Sequence, residues 1–203
     1  VAVYLGDYID RGPQSSQLLD RLIELKASED GPLEHVFLRG NHENGFLGFL
    51  EDPHGFSDWL RYGGVQAAKS YGVVVEEDMK DAPGRERLRR QLLEALPPEH
   101  YEFLGLLKLM HIERDYAFVH AGIQPEIPLD QQSEEDLVFI REPFLSWPHM
   151  HTHCIVHGHT IMARPDVRPN RIGLDTGLYQ TGMLSCGIFE DDRVQIIQID
   201  TAA

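Results

Sequence analysis

Cysteine is scarce in this sequence, with only Cys154 and Cys186 among 203 residues. The two can pair in principle, but both sit in apolar, strand-like runs. They are therefore read as free, buried thiols, and the compartment as reducing, hence cytoplasmic. Basic residues are also few: 18 Lys and Arg stand against 33 Asp and Glu, a formal charge of −15. That balance argues against a polyanion as partner and against a basic DNA-binding module, so no nucleic acid is expected. No stretch approaches the roughly 18 consecutive apolar residues of a membrane-spanning helix, so no membrane is expected either. An initiator Met and a charged leader are missing too, and Val1 opens inside an apolar run, from which we expect that an upstream segment has been lost. The composition that remains, 42% hydrophobic, 9% aromatic and 25% charged, is that of a globular protein able to bury a substantial core, neither disordered nor collagen-like.

Periodicity alternates short β-like runs with helical segments in the first half. Val1 to Leu5 reads as a strand. Ser15 to Lys26 follows with leucines and Ile23 at helical spacing, and Val36 to Leu38 as a second strand completes a βαβ unit after a Gly31-Pro32 connection. From Glu43 to Gly72 two aromatic-rich short helices, a Pro53 to Gly55 break and a Gly63-Gly64 joint resemble an excursion over a site more than core. Its aromatic residues either pack against the domain or wall a substrate groove. Arg85 to Leu96 and Glu99 to Leu107 read as helices with solvated charged faces, divided at Pro97-Pro98. Strands then dominate: Leu109–Glu113, Tyr116–Val119, Cys154–Val156, Arg171–Leu174, Met183–Phe189 and Val194–Ile199, with Asp191-Asp192 turning the last pair into a hairpin. No linker divides the chain, so residues 1–203 are taken as one α/β domain.

Four polar clusters directly follow four of these strands, where α/β folds usually carry their sites. They are Gly6-Asp7-Tyr8-Ile9-Asp10-Arg11-Gly12, Gly40-Asn41-His42-Glu43, His120-Ala121-Gly122 and His157-Gly158-His159-Thr160. Each joins glycine, which lets the backbone turn and a ligand approach, to side chains that bind divalent metals. Singly each has an ordinary structural reading: a helix cap, a turn residue or a core histidine. Together, in this order, they do not.

These motifs resemble those of the phosphoprotein phosphatase family, within the calcineurin-like metallophosphoesterases. Ile140-Arg141-Glu142-Pro143-Phe144 further resembles bacterial members. The resemblance implies a sandwich of two mixed β-sheets flanked by helices. It also implies a dinuclear centre of two divalent ions, Mn²⁺ or else Fe or Zn²⁺, in which Asp7 bridges and Asn41, His120 and His159 complete one metal's shell. A metal-bridging hydroxide would attack phosphorus directly, with no phosphoenzyme. His42 would protonate the leaving alkoxide and Asp10 would fix its tautomer. Arg11 and Arg141 would grip the phosphate with Asn41 and His42, and Glu43 would support them. The substrate would be a phosphorylated protein or a small phosphoester, and the expected activity that of a serine/threonine phosphatase.

Departures from the family pattern bear on this reading. The Gly-Asp-x-His-Gly motif that holds the other metal is missing, which makes the chain either a fragment begun one βα unit late or a non-catalytic phosphate-binding pseudo-phosphatase. Phe139 stands where a tryptophan is often found, and a salt bridge is the structural alternative for Arg11. Hydrolysis of diadenosine tetraphosphate uses a related centre and stays open as a second activity. His149, His151 and His153 alternate but are read as an exposed loop, and His157 is left out of the metal shell.

Overall fold

A computed structural model describes residues 1–28, 31, 33–77, 81–190 and 193–201. Their contacts fall into two compact units, Val1–Lys108 and Leu109–Ala203. The α/β class expected from the sequence is the observed one, with helices and a mixed sheet. None of the described helices is long and apolar enough to cross a membrane.

In the first unit, strand β1 (Ala2–Tyr4) and strand β2 (His35–Phe37) pair in parallel, Val3 opposite Val36. Helix α1 (Ser15–Ala27) makes the crossover and buries Leu19 and Leu22. This is the βαβ unit read from periodicity, although Pro32 of its connection lies outside the described residues. Helix α2 (Asn41–Glu51) starts directly after Gly40. A 3-10 segment (Ser57–Tyr62) and helix α3 (Gly64–Ser70) follow. Helix α4 (Ala82–Ala95) is capped by Asp81, whose carboxylate accepts from Gly84 N at 2.7 Å, and helix α5 (Pro98–Gly105) begins on a proline that needs no N–H partner. Among its described residues Phe46, Phe49 and Trp59 join Leu19, Leu88, Leu92 and Leu104 in an apolar cluster. The aromatic excursion is thus mainly core: only Phe56 and Tyr62 of its rings are exposed.

The second unit holds a five-stranded sheet in the order β3-β4-β5-β7-β6, built from β3 (Met110–Glu113), β4 (Tyr116–Val119), β5 (Cys154–His157), β6 (Asp166–Val167) and β7 (Arg171–Gly173). Its two edge pairs are antiparallel and its two central pairs parallel. Helix α6 (Glu134–Phe139) opens on Ser133, whose hydroxyl accepts from Asp136 N at 3.0 Å, with three acidic residues in its first turn. Helix α7 (Leu178–Thr181) is a single turn. Strands β8 (Met183–Glu190) and β9 (Arg193–Asp200) pair antiparallel over their full length, while Asp191-Asp192 lie outside the described residues. Phe189 anchors this pair on the sheet, its ring 4.7 Å from Tyr116 and 5.6 Å from Phe118.

The cysteines are free, but their expected burial is corrected: Cys154 is half-buried and Cys186 exposed. An apolar neighbourhood in sequence does not bury a strand residue whose side chain alternates onto the open face, as Cys186 does between Leu184 and Ile188.

Candidate active site

The loop after β1 is shaped by one buried carboxylate. Glu43, fully buried in the first turn of α2, accepts backbone N–H groups from Asp7 (2.9 Å), Tyr8 (2.6 Å), Ile9 (3.3 Å) and Gly40 (2.8 Å). Successive donors on one anion form a nest, and the loop closes around Glu43 as it would around a bound anion. The closure bends the chain into the left-handed region at Asp7 (φ 61°), Asp10 (73°) and Arg11 (59°). Such residues persist only where their surroundings over-determine them, and they concentrate at functional sites. Gly40 is required by proximity: a Cβ there would overlap Asp7 Oδ1 and Asp7 N.

Asp7 is thereby set with Oδ1 accepting the His42 backbone N–H at 3.2 Å and with its side chain 24% exposed. Asn41, half-buried, is the first residue of α2. His42 turns inward. Its Nδ1 lies 2.7 Å from Asp10 Oδ2, and both side chains are all but inaccessible. Nε2 is buried, has no hydrogen-bond partner among the described residues, and lies 4.0 Å from Asp7 Oδ2. Burial alone would lower the His42 pKa, but the hydrogen bond to Asp10 and the charges of Asp7 and Asp10 outweigh it and hold the imidazole above its ordinary value. Burial raises the Asp10 carboxyl, opposed by hydrogen bonds from His42 and Trp59. Those two donors favour the charged form of the carboxylate and offset part of the cost of its burial. Arg11 is exposed, with its backbone N–H donating to Gly63 O at 3.3 Å.

In the second unit His120 follows β4, and His159 follows β5 with a left-handed backbone (φ 60°). Gly158 N donates to His120 O at 2.8 Å, tying the two strand ends together. The imidazoles meet edge to face, with centroids 5.1 Å apart. Each ring offers a nitrogen, and the two nitrogens lie within 4.8 Å of each other, close enough to share a divalent ion. His157, between them in sequence, has Nδ1 3.1 Å from Gly158 O, and burial pushes its pKa down to about 4, which keeps it neutral. Arg141 is exposed just past α6, and the nearby Phe144 is fully buried. Of the alternating histidines, His149 is exposed, whereas His151 stacks on Phe144 at 5.9 Å.

Two features of the first unit were not legible in the motifs. The fourfold backbone contact of Glu43 depends on a loop path that residue identities do not specify. Trp59 donates its indole N–H to both oxygens of Asp10, at 3.1 and 2.9 Å, from 49 residues away in sequence; its only sequence signal was its place before Gly63-Gly64.

Residues 1–172 match the family model of the calcineurin-like phosphoesterases. The crystal structure of a proposed diadenosine tetraphosphatase is similar to the chain with a TM-score of 0.64 at 20% identity, over 97% of this chain and 79% of that one. That of a metallophosphoesterase from Sphaerobacter thermophilus gives a TM-score of 0.49 at 20% identity, over 96% and 75%. At these identities the first likeness concerns the fold. No curated protein matches the chain.

Proposed function

The chain belongs to the calcineurin-like phosphoesterase family, and from that premise we propose that it is a protein serine/threonine phosphatase that works with Mn²⁺. Its general chemistry is the family's, metal-dependent hydrolysis of a phosphoester. The finer reading rests on the motifs Gly6–Gly12, Gly40–Glu43, His120–Gly122 and Gly158–Thr160, and on the Ile140–Phe144 segment.

Asp7, Asn41, His120 and His159 are the proposed metal ligands. One carboxylate, one amide and two imidazoles make a mixed oxygen and nitrogen set suited to Mn²⁺, Fe or Zn²⁺. The chain's own geometry fits such a group: the Asp7 carboxylate is partly exposed on a loop whose backbone donors are consumed by Glu43, and the His120 and His159 rings are adjacent. When bound, divalent ions supply Lewis-acid activation of water and neutralise phosphoryl charge.

The chain's other residues orient the substrate and move a proton. His42 Nε2 delivers its proton to the leaving serine or threonine oxygen as the P–O bond breaks, because an alkoxide leaves poorly without one. Asp10 fixes the ring through Nδ1. Arg11 and Arg141, both exposed, grip the non-bridging oxygens with forked donors.

The observation that carries this reading is the buried 2.7 Å contact between His42 and Asp10, with Nε2 left for a substrate. The test is phosphate release by the Mn²⁺-loaded protein from a phosphoserine peptide and from diadenosine tetraphosphate, each as kcat/KM. Preference for the peptide is expected. Preference for the nucleotide would transfer the assignment to dinucleoside polyphosphates, and no turnover of either would overturn it.

A further inference from the structure

The His42–Asp10 pair has a third member. Asp10 is buried, and among the described residues its Oδ1 receives a hydrogen bond from the Trp59 indole alone, while Oδ2 is shared between Trp59 Nε1 and His42 Nδ1. The Asp10 backbone is anchored separately, its N–H donating to Ser15 Oγ at 3.1 Å. The carboxylate plane is therefore set by two side chains, one of which is the proposed proton donor.

The indole is itself held. It is 4% exposed and lies between Phe46 and Phe49, with ring centroids at 5.2 and 5.0 Å. Two glycines make room for it: a Cβ at Gly64 would overlap the indole, and one at Gly45 would sit 3.2 Å from Cδ1. Apolar burial needs no such slot, since a phenyl ring fills a core as readily. A slot that fixes an N–H in a dry environment against both oxygens of one carboxylate is a polar design, in which each bond is stronger than its counterpart in water.

We propose that Trp59 is a positioning residue for proton delivery: it clamps Asp10, and through Asp10 it holds the His42 ring in the one orientation and tautomer that leaves Nε2 carrying the transferable proton. The inference rests on the assignment of His42 as proton donor. It predicts a loss confined to steps that need a proton at the leaving oxygen, whereas a packing role lowers all turnover alike.

The test compares wild type and Trp59→Phe on phenyl phosphate, a poor leaving group, and 2,4-dinitrophenyl phosphate, which departs without protonation. The expected loss in kcat is about tenfold for the first, the scale of one charge-assisted hydrogen bond, and less than about twofold for the second, with KM unchanged. Equal losses on both, or none on phenyl phosphate, overturn the proposal. An activity-independent measurement covers a variant that fails to fold. The chain has two tryptophans, so the Trp59 indole N–H resonance is assigned by replacing Trp147. It is expected to move upfield in Asp10→Asn, and an unmoved resonance overturns the clamp. If the wild type turns over neither ester, the functional assignment fails, and the indole resonance still decides whether the clamp exists.

Discussion

Glu43 shows how much one side chain can determine. Its carboxylate is the common acceptor for the N–H groups of Asp7, Tyr8, Ile9 and Gly40, and Asp7 among them has a left-handed backbone that the surroundings must hold. Glu43→Ala leaves four donors without that acceptor, each costing about 1 to 3 kcal/mol if it stays dry. Partial relaxation and entry of water reduce the sum, and a loss of about 3 kcal/mol or more in urea-induced unfolding is expected. Glu43→Gln keeps an acceptor oxygen and should cost less. Equal stability of wild type and Glu43→Ala would mean that the loop is held by something else. The same loop carries Asp7, so its relaxation should also weaken Mn²⁺ binding, which calorimetry measures.

Among the elements, α6 is one that the sequence pattern left unread. Its six residues are too few to show helical periodicity, and its evidence is a cap: Ser133 accepts from Asp136 N, and acidic residues fill the first turn. It buries Leu137 and Val138 and delivers the chain to Arg141. Ser133→Ala should cost about 1 kcal/mol in thermal or urea unfolding, and Ser133→Asp should restore most of it. A null effect in Ser133→Ala would show that α6 is held by its apolar face alone. The βαβ unit, by contrast, was legible, because Leu18 to Leu25 gave a helical period between two apolar runs, and the four polar clusters were legible because each followed a strand. Illegible were the two-residue β6, too short for any period, and the side of β8 on which Cys186 falls. Alternation says that one face of β8 is open without saying which. The aromatic excursion from Phe46 to Tyr71 left both readings standing until the contacts of Phe46, Phe49 and Trp59 placed it mainly in the core. The bond from Trp59 to Asp10 was illegible, since contact across 49 residues leaves no local trace.

For the molecule as a whole, a net charge of −15 sits beside a proposed phosphate substrate of the same sign. Bulk charge governs approach over about a Debye length, while the proposed dications and the two proposed arginines would set the potential where phosphate binds. On the proposed assignment the metal offsets the like charge, and activity should vanish on chelation and return with Mn²⁺. The proposition on which the rest depends is that Asp7, Asn41, His120 and His159 hold that metal. Calorimetric titration of the metal-free protein with Mn²⁺, in parallel with Asp7→Ala and His159→Ala, tests it most directly. Saturable binding by the wild type and a more than about tenfold loss in affinity in each variant are predicted, since even residues that only orient a ligand cost about 10- to 100-fold. Wild-type affinity retained in both variants would contradict the claim.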